Sequence, residues 1–202
     1  MNQQVLAQFL LHIGDSQLIL SHRLSEWCGH APELELDIAV ANIGLDLLGQ
    51  ARNALTLAGE LEGLGRDEDQ LAYFRGEREY FNLLLCEQPN GDFAQTIVRQ
   101  WLMDHYHALL LDALTGSQHK AVAAFATKSL KEVKYHIRFS TAWMERLSLG
   151  SEEAHQKMQQ GLDNLWRYTQ ELFALTDAEK QLVVEGIIPD VEALKATWSS
   201  NV

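Results

Sequence analysis

Glu33-Leu34-Glu35-Leu36-Asp37-Ile38-Ala39-Val40-Ala41-Asn42-Ile43-Gly44-Leu45-Asp46-Leu47-Leu48-Gly49-Gln50-Ala51-Arg52-Asn53-Ala54-Leu55 is the stretch that decides the class of fold. Apolar residues return at Leu36, Val40, Ile43, Leu47, Ala51 and Ala54. Steps of three and four place them on one side of an α-helix. Leu45, Leu48 and Leu55 lie beside that row and widen the apolar arc, so this helix, from about 33 to 61, is expected at the centre of the domain. Pro32 precedes it, and a proline's missing N–H marks a helix boundary. Gly63 and Gly65 punctuate its end.

The same periodicity extends in both directions. Val5, Phe9, Ile13, Leu20, Leu24 and Trp27 define a helix over about 2–28, followed by a turn at Gly29-His30-Ala31-Pro32. The stretch 66–88 is mixed. Asp67 is placed to cap a short helix, Phe74 and Tyr80-Phe81 read as core anchors, and Gln88-Pro89-Asn90-Gly91 reads as a turn. Long helices follow over about 92–115, with Asp92 as N-cap, and 117–149, with Ser117 at its start. A fifth spans 151–174 and opens Ser151-Glu152-Glu153. A short sixth follows Thr176, and Pro189-Asp190 introduces a last one. No run of alternating Val, Ile and Thr with hairpin turns is present, so a sheet is not expected. With no repeat, low-complexity tract or linker, residues 1–202 are expected to form a single all-α domain. Its core is a bundle of four long helices with additional C-terminal helices. Periodicity alone admits both a ferritin-like and an up-down bundle.

The apolar fraction is 47%, enough for a continuous core, and the net charge is −12. That charge argues against nucleic acid and against anionic lipid, both of which need a basic surface. The N-terminus has no basic leader and no long apolar run, so neither a signal peptide nor a membrane span is expected. The two cysteines, Cys28 and Cys86, have no metal spacing and point to reduced thiols in a cytoplasm.

Bundle proteins with two iron ions take a carboxylate from each of two helices and a Glu-x-x-His pair from each of the other two. The i,i+3 spacing places Glu and His on one face. None of the four long helices here carries that pair. The nearest approaches are Asp104 with His107, which is Asp-x-x-His, and Glu132 with His136, which is i,i+4. Bland readings outweigh a metal site at both. The polar run from Asp104 to His107 suits a partly exposed helix, and Glu132 among Lys128, Lys131 and Lys134 suits a solvated ion pair. No Gly-x-Ser-x-Gly, P-loop or Gly-x-Gly-x-x-Gly occurs. Cys28 lies near His22 and His30 in sequence, but a lone thiol more often packs than reacts. His12, His119 and His155 are scattered.

Several segments resemble a known family over nearly the whole chain. They are Glu26-Trp27-Cys28-Gly29-His30-Ala31-Pro32-Glu33-Leu34-Glu35, Ala41 to Asn53, Glu87-Gln88-Pro89-Asn90-Gly91-Asp92-Phe93-Ala94, Lys131 to Ser140, Lys157-Met158-Gln159-Gln160 and Leu165-Trp166-Arg167. They are similar to the non-catalytic C subunits of bacterial phenylacetyl-CoA epoxidases, in the ferritin-like superfamily. The resemblance implies a ferritin-like fold and a cytoplasmic, structural role in a multicomponent monooxygenase of aerobic phenylacetate degradation. It implies no cofactor in this chain and a di-iron centre in a homologous catalytic subunit. The further partners implied are small and reductase subunits, with electrons from NADPH. Members of the family continue for some tens of residues past the point where Ser199-Ser200-Asn201-Val202 ends this sequence, so the family's C-terminal tail is expected to be missing.

The catalytic subunits show which positions have changed. Their second-helix motif, Asp-Glu-Ala-Gly-His, corresponds to Asp46-Leu47-Leu48-Gly49-Gln50, so a ligand Glu is replaced by Leu47 and a ligand His by Gln50. Their fourth-helix motif, Lys-Glu-Glu-Ser-Phe-His-Gln-Arg, corresponds to Lys131 to Arg138, so a ligand Glu is replaced by Val133 while His136 remains. Gln17 stands where the first helix has its Glu, and Asp104 matches an Asp near the metal. The resemblance therefore implies no catalytic, cofactor or metal residue here, only vestigial positions at Gln17, Leu47, Gln50, Asp104, Val133 and His136. The former cavity is expected to be a packed core, with Gln17 and Gln50 hydrogen-bonding each other or His136. The alternative is a divergent metal-binding oxygenase subunit using Asp104, His107, Glu132 and His136.

Overall fold

A computed structural model describes residues 2–202. Among them every regular element is helical: α1 (Gln3–Ser25), α2 (Leu34–Glu62), α3 (Glu68–Tyr73), α4 (Leu84–Glu87), α5 (Phe93–Leu114), α6 (Lys120–Ser148), α7 (Glu152–Leu165), α8 (Asp177–Val184) and α9 (Val191–Asn201), with 3-10 turns at Glu77–Glu79 and Trp166–Phe173. The long helices α1, α2, α5 and α6 form an all-α, ferritin-like bundle. α1 packs along α2, α5 along α6, and α2 closes on α6. α7 lies on α5 and α6, α9 on α5, and α8 on α1.

Local chemistry explains most helix starts. The side chains of Asp92, Ser151 and Asp190 accept from backbone N–H groups at the heads of α5, α7 and α9. Asp67 and Thr176 form reciprocal capping boxes with Gln70 and Glu179. α2 ends at Gly63 with φ 69°, a left-handed cap open to glycine without strain.

Several expectations need correction. Ser117 does not begin the fourth long helix. Its hydroxyl donates to the Ile187 carbonyl at 2.6 Å and Gln118 N–H donates to Gly186 O at 2.9 Å, which holds 117–118 against the α8–α9 loop until Lys120. The fifth helix is α-helical only to Leu165 and then tightens to 3-10, where Thr169 Oγ1 donates to Trp166 O at 2.8 Å. Phe74 is no core anchor, being 82% exposed, and Phe81 is exposed too. Tyr80 is the anchor of that stretch, its ring beneath the Arg75 guanidinium and its hydroxyl donating to Ala72 O.

The central helix is α1, not α2. α1 is buried from Val5 to Leu24 on almost every side, because α2, α8 and the 71–87 connection surround it. α2 buries the row Leu36, Val40, Ile43, Leu47, Ala51 and Ala54 as expected, and Leu55 with it, but Leu45 and Leu48 face solvent.

Two buried polar residues of α1 hold the long α2–α5 connection. Asp15, fully buried, accepts from both terminal nitrogens of Arg75 (3.0 Å from Nη1) and from Phe81 N–H at 2.9 Å. Ser16 donates to His12 O at 2.7 Å and accepts from Leu83 N–H at 3.0 Å. Further along, Arg99 of α5 donates to Gln88 O and Asn90 Oδ1, while Asn90 donates to Arg23 O and Glu26. The segments around Trp27 and Pro89, far apart in sequence, thus meet in one structural knot, closed by Trp27 Nε1 donating to Thr96 Oγ1 at 3.1 Å.

Candidate functional site

The four long helices bring Gln17, Leu47, Gln50, Asp104, Val133 and His136 into the interior, every one of them buried. Leu47 and Val133 are fully buried and supply apolar volume. Gln17 Nε2 donates to Gln50 Oε1 at 2.9 Å, and Gln50 Nε2 donates onward to Glu132 Oε2 at 2.8 Å. A chain of hydrogen bonds therefore runs from α1 through α2 to α6. Glu132 is half-buried and makes no ion pair with its lysine neighbours, contrary to its sequence reading, because its position turns it toward α2.

His136 does not join the glutamines. Its Nε2 lies 3.1 Å from Asp46 Oδ2 on α2, and its Nδ1 has no partner. Burial lowers the pKa of His136, against the opposing pull of Asp46 and Glu132. The neutral ring protonated at Nε2 is the form that donates to Asp46.

Asp104 is fully buried, not partly exposed. It accepts from Gln100 Nε2 at 2.6 Å, one turn earlier, and from Ser140 Oγ of α6 at 2.8 Å. Loss of water pushes its carboxyl up to about 8, although both hydrogen bonds oppose the shift. His107 is buried with it, and burial, reinforced by His136 and His12, pushes its imidazole down to about 3. Sequence reading missed Gln100, Ser140 and the role of Asp46. The i,i+4 spacing of Gln100 to Asp104 was the available signal.

The structure does not gather Asp104, His107, Glu132 and His136 into one coordinating set. Among the described residues no group of three or more His, Cys, Asp or Glu side chains is placed to hold a metal ion. A Glu-x-x-His pair does exist outside the four long helices, at Glu152 and His155 on α7. Both are exposed, and they contact Gln156 and the Ser148 carbonyl rather than each other. Cys28 is exposed, Cys86 is buried and both are free, so no disulfide joins them. No helix among the described residues is long and apolar enough to cross a membrane.

Residues 1–202 match the family model described as phenylacetic acid catabolic protein. The chain is 53% identical over 202 residues to the C subunit of the 1,2-phenylacetyl-CoA epoxidase of Escherichia coli (strain K12), covering 100% of this chain and 80% of that relative. On both grounds the chain belongs to the phenylacetic acid catabolic protein family.

Proposed function

We propose that this chain is a structural subunit, without a metal centre of its own, of a multicomponent monooxygenase that epoxidises the ring of phenylacetyl-CoA in the cytoplasm. Its role is to support a homologous catalytic subunit that holds the di-iron centre, with small and reductase subunits completing the complex. The supporting observation is the donor set at the centre of the bundle. A di-iron centre needs anionic carboxylates that balance the metal charge. Here two of the implied ligand positions are Leu47 and Val133, two are a hydrogen-bonded amide pair, and the carboxyl of Asp104 is already engaged by Gln100 and Ser140. That set does not fit two iron ions. Replacing ligand carboxylates by aliphatic and amide groups also removes the repulsion that unneutralised buried charges would exert.

Co-expression with the homologous catalytic subunit, followed by sizing and iron analysis of each separated chain, tests this reading. The expected result is a complex in which iron and oxygen activation follow the catalytic chain. Stoichiometric iron in this chain alone, or oxygen activation without a partner, would sink it.

A further inference from the structure

The solvent side of α2 carries a row of large apolar residues where an outer helix surface is normally polar. Leu34 is 72% exposed, Ile38 54%, Leu45 65% and Leu48 38%. Their spacing keeps them in one row down the helix. A cavity of about 490 Å³ between α2 and α3 is lined by Leu45, Leu48 and Tyr73. Tyr73, which ends α3 and lines that cavity, is 62% exposed, and the next residue, Phe74, is 82% exposed. Single exposed apolar residues are ordinary, but four large ones along one helix face, with Tyr73 across a shared cavity from two of them, mark an interaction surface.

The row is one helix face wide, with steps of four, seven and three residues, which suits a single amphipathic helix laid along it. Charge selects the occupant. Residues 33–73 contain nine acidic and two basic side chains. Both basic ones are already paired, Arg52 with Glu68 at 2.9 Å and Arg66 with Glu62 at 2.6 Å. The rim is therefore negative. A second copy in a twofold arrangement would set that rim against itself, like charge on like.

We propose that the α2–α3 face docks an amphipathic helix of a partner subunit whose apolar seam is flanked by Lys and Arg. This rests on the reading of the chain as a supporting subunit, and adds where the contact is made and what the partner presents. The complementary charge makes the association salt-sensitive.

The test uses the full chain carrying Ile38→Glu and Leu45→Glu, with Phe74→Glu as a second, independent variant. Each is mixed with the purified homologous catalytic subunit in sizing and calorimetric titrations. The altered side chains are more than half exposed, so the thermal midpoint of the isolated chain stays near wild type, while affinity falls about 30-fold or more. Lys131→Glu on α6 binds like wild type, and wild-type affinity weakens as salt rises from about 0.1 M to 0.5 M. Undiminished binding by both apolar-to-Glu variants overturns this surface and leaves the subunit reading standing. No binding by the wild-type chain overturns both. A wild-type homodimer that the variants dissolve assigns the face to a second copy and overturns the proposed partner.

Discussion

The buried amides and carboxyls at the bundle centre depend on one another. Gln50 serves two neighbours, so Gln50→Leu strands the Gln17 amide in an apolar interior. That is expected to cost about 1–3 kcal/mol. Gln17→Leu with Gln50→Leu removes both partners and should cost less than the sum of the single changes, a coupling that denaturant melts of the full cycle measure. Asp104 and His107 set opposite limbs of the stability profile. A carboxyl raised from 3.8 to about 8 binds its proton more tightly in the folded chain. Its contribution is complete at acid pH and is lost as pH rises toward 8. His107, lowered from 6.5 to about 3, contributes above 6.5, and that contribution is lost as pH falls toward 3. His136 shifts in the same direction. Stability should therefore peak near pH 6.5 and decline by about 1–2 kcal/mol toward pH 8. Asp104→Asn should abolish that alkaline decline, because the amide does not titrate, its oxygen accepts from Gln100 Nε2 and its N–H donates to Ser140 Oγ, whose own hydroxyl turns to Ile137 O. Urea melts across this range read the difference.

The α2–α5 connection shows how helices position a segment that has little regular structure of its own. Its short helices are too brief to persist in isolation. They are held by Leu71, Leu83 and Leu85 in the core and by the Asp15–Arg75 pair. Arg75 also donates to Leu71 O and Glu79 O, so one side chain ties α1 to two points of the connection. Arg75→Ala leaves the Asp15 carboxylate buried without its cation and is expected to cost about 3–5 kcal/mol. Limited proteolysis should then show faster cleavage between Gly63 and Asp92 than in wild type, with the long helices still protected.

Across the whole chain, charge and exposed apolar surface are unevenly distributed. α6 carries six of the 16 Lys and Arg side chains, while residues 33–73 are strongly acidic and expose the apolar row of α2. If a partner covers that row only in the folded chain, its binding raises stability by mass action. The thermal midpoint of this chain should then climb with catalytic-subunit concentration beyond saturation, by about 2.7 kcal/mol of added stability at a hundredfold excess over Kd. Scanning calorimetry over a concentration series reads this directly.

Helix type and the approximate limits of the long helices were legible in the residues, because three-and-four periodicity, Asp92, Ser151, Thr176 and Asp190 caps, and proline boundaries act within one or two turns; the four-residue α4 was not. Leu47, Val133, Gln17 and Gln50 were singled out only through resemblance to a family, and all four lie in the core. Burial was less legible. Asp104 and His107 read as partly exposed and lie in the core, while Leu45, Leu48 and Phe74 read as core and lie in water. Periodicity says which residues share a face, not what lies opposite that face. Only the packing of α1 between α2, α8 and the α2–α5 connection decided which arc of α2 stayed open. The same packing turned Glu132 toward Gln50 and brought Ser140 to Asp104. Those contacts join residues 82 and 36 positions apart, and no local rule spans that distance.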